Sequence, residues 1–417
     1  MSGDHCPGVL RLHEAADGWL ARVRLPGGRL RPQALDAIAE VSALGNGLVE
    51  LTSRASVQIR GLTSGSAQDA ARRLEAAGLM PSMAHERVRN ILASPVAGRH
   101  PDSLASTDDV VAELDRGLCA DSSLAELPGR FLFAVEDGSA ALGPHRADVS
   151  LATSPPAGEV AFRLRLAGRA TTLTATPGEA AGLALRGARA FLVLARADGA
   201  DAWGVSALHD GPGRLARELG GALLPDPLAV DRDAAIGEPL EVGTLTQIDG
   251  RVTVTVLPAL GRLDGPMLRG LAECSRRHRC EVRVSPRRTV SVIDLARAEA
   301  QPVTSELGSL GLVTSPASGW RGLSACAGKG ACAKARVDVR RAAERRAAVR
   351  DAGAPAEHWS GCERRCGKPI GSPVTVTAAD SGLIVEIAGE TRTVETVAAA
   401  LELLEESHPR SRASVLA

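Results

Sequence analysis

The sequence predicts an internally duplicated α+β fold: two ferredoxin-like half-domains related by a pseudo-twofold axis, each followed by a larger α/β unit. Three observations carry this. One order of segments is written twice along the chain, and an extended, strand-forming stretch follows each copy. Four of the eight cysteines stand in two tight pairs in the last quarter of the chain, so only one of the two larger units carries them.

The first copy, residues 1–84, opens on "ARVRLPGGRL", a strand running into a Pro/Gly turn. Leu35, Ile38 and Val41 then recur at helical spacing, "LVELTSRASVQIRGL" alternates with period two as a strand pair, and "RRLEAAGL" closes the copy as a helix. The unit 85–224 follows, with "LPGRFLFAVEDG" at 127–138 as its extended segment. "LLPDPLAVDRDAAIGEPL" mixes Pro, Asp and Gly and reads as a linker over 225–239. The second copy, 240–315, repeats the order with "VTVTVLPALGRL", a helix around Met267 to Cys274, "CEVRVSPRRTVSVIDL" and "SELGSLGL". The last unit, 316–417, has "GSPVTVTAADSG" at 371–382 as the counterpart of 127–138. Aligning Arg89 of "VRNILASPVAG" with Arg321 of "WRGLSACAGKG" sets Ser94 against Cys326, a thiol where the first copy has a hydroxyl.

A chain of 417 residues exceeds what one hydrophobic core serves, so several domains are expected. Apolar residues make up 44%, charged residues 24%, and the formal net charge is zero, a soluble globular composition with no bulk attraction to nucleic acid or anionic membrane. The start lacks a basic region followed by an apolar stretch, and no run of about 18 apolar residues occurs. A cytoplasmic protein with neither a nucleic-acid nor a membrane partner is expected. Tyr is absent and nearly all positive charge is Arg, a compositional drift that strips aromatic scarcity of functional meaning. The only lysines, Lys329, Lys334 and Lys368, lie in or beside the cysteine pairs. Local chance is one reading; the other is that a compact ammonium suits a site holding an anionic cluster or a carboxylate ligand.

Cys6, Cys119, Cys274 and Cys280 are scattered and read as buried apolar thiols. Cys326 and Cys332, in "CAGKGAC", have five residues between them; Cys362 and Cys366, in "CERRC", have three; 29 separate the pairs. Structural zinc favours pairs two to four residues apart, so this spacing leans toward four thiolates on an iron-sulfur cluster, with zinc and unliganded thiols as the other readings. Gly328, Gly330, Gly361 and Gly367 let backbone amides approach sulfur. "GKG" lacks the remainder of a phosphate loop.

Repeat, cysteine spacing and "TSRASVQIRGL" together resemble the nitrite and sulfite reductase superfamily over nearly the full chain, which implies its duplicated nitrite/sulfite reductase-like fold. Within it, "DGWLARVRLPGG", "ELTSRASVQIRGL", "ERVRNILASPVAG" and "LPGRFLFAVEDG" are most similar to the precorrin-3B synthases of aerobic cobalamin biosynthesis. The resemblance assigns Cys326, Cys332, Cys362 and Cys366 to a [4Fe-4S] cluster, with Cys366 also bridging to siroheme iron if siroheme is bound. It places Arg54, Arg89 and Arg130 where reductases surround a reacting anion, and Leu132 where they keep a polar residue. An apolar Leu132 neither donates to an oxyanion nor protonates it, which argues against sulfite or nitrite reduction.

The implied reaction is oxidation of precorrin-3A with dioxygen, hydroxylating a ring carbon and closing a lactone onto a neighbouring acetate; the alternative is a siroheme-dependent ferredoxin-nitrite or sulfite reductase. Read from the residues, Gln58 and Arg60 share one strand face while Val57 and Ile59 take the other, and the second copy offers Arg283, Arg287 and Arg288. Guanidinium forks bind carboxylates bidentately, so arginines on two facing sheets suit a carboxylate-fringed ring; solvated surface charge is the plain reading of each alone. Arg54 and Arg287 occupy equivalent positions beside a shared interface, and Arg22 and Arg24 on an earlier strand join them more weakly. A mononuclear non-heme iron would help dioxygen react, yet His85, His100, His145 and His209 are isolated and show no two-His-one-carboxylate spacing. No GxGxxG follows a strand, so electrons are expected from outside, from an NAD(P)H-linked reductase or a ferredoxin.

Overall fold

The computed structural model describes residues 6–143, 145–154, 160–199, 201–225, 242–351 and 353–407. Apart from its first residue, the linker expected at 225–239 lies outside them. The first half-domain contains β1 (His13–Ala15), β2 (Gly18–Val23), β3 (Arg29–Leu30), α1 (Pro32–Ala43), β4 (Leu48–Leu51), β5 (Val57–Leu62) and α2 (Ala67–Ala76). The first α/β unit contributes β6 (Ile91–Ala93), α3 (Asp108–Ala120), β7 (Phe133–Glu136), β8 (Val149–Ser154), β9 (Ala161–Leu166), β10 (Arg169–Ala175), α4 (Pro177–Ala197) and α5 (Gly211–Glu218). The second half-domain follows with β11 (Gly243–Thr246), β12 (Val252–Val256), β13 (Arg262–Asp264), α6 (Gly265–His278), β14 (Glu281–Val284), β15 (Val290–Leu295) and α7 (Ala300–Ser309). The last unit holds β16 (Leu323–Ala325), α8 (Val339–Val349), β17 (Glu357–Ser360), β18 (Val374–Ala379), β19 (Gly382–Ile387), β20 (Glu390–Val394) and α9 (Val397–Ser407).

Periodicity in the sequence becomes burial in the fold. Leu35, Ile38 and Val41 form the inward stripe of α1, which starts with a proline at its first position, where no amide hydrogen is needed. Val57 and Ile59 of β5 point into the same core, leaving Gln58 and Arg60 on the opposite face. Helix α1 packs on α6, and one hydrophobic core runs through both half-domains. The pseudo-twofold therefore crosses a shared interior.

Strand exchange locks the two copies together. The sheets run β1-β2-β5-β4-β13 and β11-β12-β15-β14-β3, so each copy lends its shortest strand to the edge of the other's sheet. Arg262 pairs with Glu50 across one seam and Arg29 with Arg283 across the other. A left-handed turn precedes each lent strand, at Gly27 and Gly28 in the first copy and at Leu260 and Gly261 in the second. A Cβ at Gly28 would lie 2.0 Å from the Val284 carbonyl oxygen, so only glycine permits the close approach.

The two α/β units also repeat one topology. β6, β7 and β8 are parallel and β9 and β10 add antiparallel; β16 to β20 do the same. This corrects the pairing of 127–138 with 371–382. By strand order β7 matches β17, and β18 matches β8. The sequence "EHWS" of β17 hides its strand because Glu357, His358 and Ser360 are polar yet fully buried. Glu357 accepts hydrogen bonds from Arg346 Nε (3.1 Å) and Trp359 Nε1 (2.6 Å), which is how so polar a strand survives inside. No helix among the described residues is long and apolar enough to cross a membrane.

Each half-domain docks on one unit through a charge pair, and the two pairs have opposite sign. Glu50 on β4 meets Arg340 of α8, whereas Arg283, at the equivalent place on β14, meets Asp108 of α3 at 2.7 Å.

Candidate functional site

β16 and β17 are neighbouring parallel strands, with Ala325 opposite Trp359, so their carboxyl ends open at one edge of the sheet. Cys326 follows β16 directly, and Cys362 comes two residues after β17. The loops after the strands complete the set. Cys332 donates its amide to the Gly328 carbonyl (3.0 Å), and Arg365, at a φ of 48°, folds the second loop so that its amide meets the Cys362 carbonyl (3.2 Å). The Gly361 amide donates to Cys326 Sγ at 3.2 Å. A side chain at Gly361 would come within 2.7 Å of the Ala335 Cβ, which fixes glycine between the two loops.

All four cysteines line one cavity of about 780 Å³, within the range of about 300–1,000 Å³ that cofactor-sized ligands occupy. Burial, and then the like charge of Cys326, Cys362 and Cys332, pushes the Cys366 thiol up, so the four sulfurs feel one another. Among the described residues no three His, Cys, Asp or Glu side chains gather closely enough to share a single ion. Four thiols spread around one cavity, with an amide aimed at sulfur, match the donor set of a cubane cluster, which takes one thiolate at each of four separate irons. The residues fit that group. Three of the histidines singled out in the sequence have separate partners: His85 hydrogen-bonds Ser82 and the Asp121 carbonyl, His100 lies by Asp102, and His145 lies by Glu136.

The facing wall is the polar side of the first half-domain's sheet, from which Arg22, Gln58 and Arg60 reach the cavity. Arg22 Nη2 donates to Gln58 Oε1 at 2.6 Å, while its buried Nε has no hydrogen-bond partner. Behind it Arg24, 2% exposed, donates to the carbonyls of Arg87 and Pro7 and leaves Nη1 unsatisfied. Half-buried Arg54 donates to the Arg130 carbonyl at 2.8 Å. Burial depresses the pKa values of Arg22, Arg24 and Arg54, and repulsion among these guanidiniums and Arg130 adds to it; Arg24 falls to about 9. Glu86 and Asp148 offset this only in part; positive charge held out of water is costly, and an anion seated beside Arg22 and Arg54 would relieve it further.

The remaining arginines go elsewhere. Arg89 is 5% exposed and forms a bidentate pair with Asp115, both contacts at 2.7 Å, plus a bond to the Leu79 carbonyl, so it braces the first α/β unit outside the cavity. Arg287 sits on a turn equivalent to that of Arg54: Thr52 Oγ1 caps the amides of Arg54 and Ser56 as Ser285 Oγ caps those of Arg287 and Thr289. Both abut the first α/β unit, Arg54 at the Arg130 carbonyl and Arg287 beside Gly143, and Arg287 does not line the cysteine cavity. Its neighbour Arg288, at a φ of 63°, turns to the cavity and donates to the Gly367 carbonyl at 3.1 Å. Arg60 is a cavity residue already engaged, with Asp17 at 2.9 and 2.8 Å and with the Ala331 carbonyl at 2.6 Å.

Two residues near the site escaped sequence reasoning. Asp148, 6% exposed, accepts the amides of Leu132 (2.9 Å) and Val205 (2.8 Å) close to Arg54, and burial raises its carboxyl to about 6. His358, hydrogen-bonded to Ser324 at 2.8 Å, is held neutral, its pKa lowered to about 3 by burial and by Arg288. Neither stands in a recognisable motif; only the three-dimensional neighbourhood marks them.

Comparison with known proteins agrees with this architecture. The nitrite/sulfite reductase ferredoxin-like half domain matches residues 13–77 and 245–310, one stretch in each copy. A ferredoxin–nitrite reductase of Synechococcus elongatus is 25% identical, covering 84% of this chain and 74% of its own length. A precorrin-3B synthase of a Sinorhizobium species is also 25% identical, over 90% of this chain and 81% of the relative. Among solved structures, the NirA protein of Mycobacterium tuberculosis superposes with a TM-score of 0.73 at 19% identity, covering 94% of this chain and 82% of that one. The chain therefore carries the nitrite/sulfite reductase ferredoxin-like half domain twice, shares its duplicated fold with that solved structure, and is an oxidoreductase.

Proposed function

We propose that the protein is an oxygen-dependent monooxygenase that converts precorrin-3A to precorrin-3B, with Cys326, Cys332, Cys362 and Cys366 holding a [4Fe-4S] cluster. When bound, such a cluster supplies electrons singly, which closed-shell organic molecules need in order to react with dioxygen. One oxygen atom enters the ring as hydroxyl and a lactone closes onto the neighbouring acetate. The other oxygen leaves as water with two electrons and two protons, the electrons coming from an NAD(P)H-linked reductase or a ferredoxin.

The observation that carries this reading is the cation-rich wall opposite the thiols. Arg22 on that wall binds a carboxylate of the ring, with Arg54 and Arg130 adding positive charge close to it, and Gln58, engaged by Arg22, holds that guanidinium toward the cavity. Leu132 supports an organic ligand over a small oxyanion: its side chain is 4% exposed within the half-domains' core and brings no donor to the cavity. The second reading, siroheme-dependent reduction of nitrite or sulfite, is favoured by the same guanidiniums, which suit a small anion and siroheme's carboxylates equally. No residues are assigned to a mononuclear iron.

Incubating the reduced protein with precorrin-3A under labelled dioxygen tests the proposal. Label in a hydroxylated, lactonised product is expected. Unchanged tetrapyrrole, together with chlorin-type absorption bands and consumption of nitrite or sulfite, overturns it in favour of the second reading.

A further inference from the structure

Arg60 lies on β5 in the first half-domain, yet its guanidinium reaches 271 residues along the chain to the Ala331 carbonyl at 2.6 Å, one residue before Cys332. Asp17 grips it bidentately from the β1–β2 turn, and Glu50 stands 4.0 Å from its Nη1. Glu50 in turn pairs with Arg340 of α8. An alternating chain of charges, Asp17, Arg60, Glu50 and Arg340, thus spans the gap between the first half-domain and the cysteine-bearing unit. Cys332 lies close enough to the guanidinium to interact with it electrostatically.

The duplication supplies an internal control. Counting from the equivalent turns, Arg60 corresponds to Ile293 of β15. Ile293 is fully buried beside Val96 and Ala141 of the unit in which Ser94 stands in place of Cys326. Where the unit lacks the paired cysteines, this strand position plugs it with an apolar side chain. Where it has them, the same position presents a cation and a fork of donors.

We propose that Arg60 is a positioning residue for the cluster: it pins the 326–332 loop through the Ala331 carbonyl and holds a fixed positive charge beside the Cys332 thiolate. This rests on the reading that the four cysteines hold a [4Fe-4S] cluster, and it redirects Arg60 away from a substrate carboxylate. A cation fixed beside a thiolate ligand in a water-poor setting favours the more negative, reduced state of the group, so it raises the reduction potential. Tethering the loop slows loss of iron.

The test compares wild type, Arg60→Gln, Arg60→Lys and Asp17→Asn, purified anaerobically, by iron and sulfide content, rate of iron loss to a chelator, and midpoint potential from spectroscopic redox titration. Arg60→Gln is expected to lose iron several-fold faster and to titrate at a more negative potential. Arg60→Lys keeps a charge but cannot grip Asp17 and Ala331 together, so its potential lies between the two while its iron loss stays fast. Asp17→Asn frees the fork without removing the charge; it speeds iron loss with a smaller shift in potential, and it carries the test if Arg60→Gln fails to retain a cluster. Wild-type content, release rate and potential in Arg60→Gln overturn the assignment of Arg60 and leave the cysteine reading standing. Wild-type protein without four irons defeats the cluster reading itself.

Discussion

Replacing Arg24 with methionine is predicted to stabilise the ligand-free protein while weakening its response to an anion. Arg24 is 2% exposed, and burial followed by repulsion from Arg22 lowers its pKa from the ordinary guanidinium range to about 9. A displacement of about 3.5 units, at about 1.4 kcal/mol each, corresponds to about 5 kcal/mol of lost preference for the charged state. Methionine keeps the aliphatic packing but strands the Arg87 and Pro7 carbonyls, whose contacts are long at 3.2 and 3.4 Å, at a cost of about 1 kcal/mol apiece. The balance is a gain of roughly 2–3 kcal/mol, in line with the replacement of buried charge by apolar volume in other folds. Thermal unfolding of anaerobic protein reads it, at one scan rate because cluster loss makes unfolding irreversible. The variant should melt higher without ligand and gain less than wild type from millimolar citrate, a small polycarboxylate probe. A lower melting temperature in the ligand-free variant, or an equal citrate response in both proteins, would refute the picture of an anion-seeking cluster under strain.

Cys362→Ser should sharply lower bound iron and sulfide; unchanged stoichiometry by colorimetric assay would exclude Cys362 as a ligand. Arg89→Gln breaks a buried bidentate pair and is expected to cost about 3–5 kcal/mol of stability in denaturant unfolding without altering ligand affinity. Arg22→Gln should weaken ligand binding several-fold in a titration without lowering the melting temperature, since it removes a buried guanidinium whose Nε has no partner. For Asp148, the folded pKa is raised from 3.8 to about 6, so the folded state binds the proton more tightly than the unfolded chain. Its contribution, about 3 kcal/mol, is full below pH 4 and is lost as the pH rises through 6, and Asp148→Asn should flatten that part of the stability–pH curve.

Much of the fold was legible because duplication writes each signal twice. The inward stripe of α1 and the alternation of β5 follow directly from the spacing of Leu35, Ile38, Val41, Val57 and Ile59. Strand exchange was invisible, since β3 and β13 are only two and three residues long and nothing local says which sheet accepts them. β17 was missed because its burial rests on the Arg346–Glu357 pair, a long-range compensation that no hydropathy pattern records. The two tight cysteine pairs are plain in the spacing, but the parallel strands that bring them to one edge are not, because β17 was hidden. Arginine roles could not. Arg54, Arg60, Arg89 and Arg287 look alike in sequence, and only the partners brought in from distant segments separate them: the Arg130 carbonyl, the Ala331 carbonyl, the Asp115 carboxylate and the Gly143 turn.

The sign reversal between Glu50–Arg340 and Arg283–Asp108 shows how a duplicated chain avoids confusing its halves. With two similar half-domains and two units of identical topology, the wrong docking would be nearly as good in shape as the right one. It would, however, set Glu50 against Asp108 and Arg283 against Arg340. Arg283 has a side chain only 1% exposed, and like charges brought together out of water cost several kcal/mol. Arg60 and Ile293 add a second layer of the same discrimination, since Arg60 in the apolar niche of Val96 and Ala141 would lose Asp17 and Ala331 together, and Ile293 at the cysteine loop would leave the Ala331 carbonyl without its donor. On one of the two faces the residues that make this distinction, Glu50, Arg60 and Arg340, also border the cysteine cavity, so the charges that keep the halves in register there also set a cation beside the thiols.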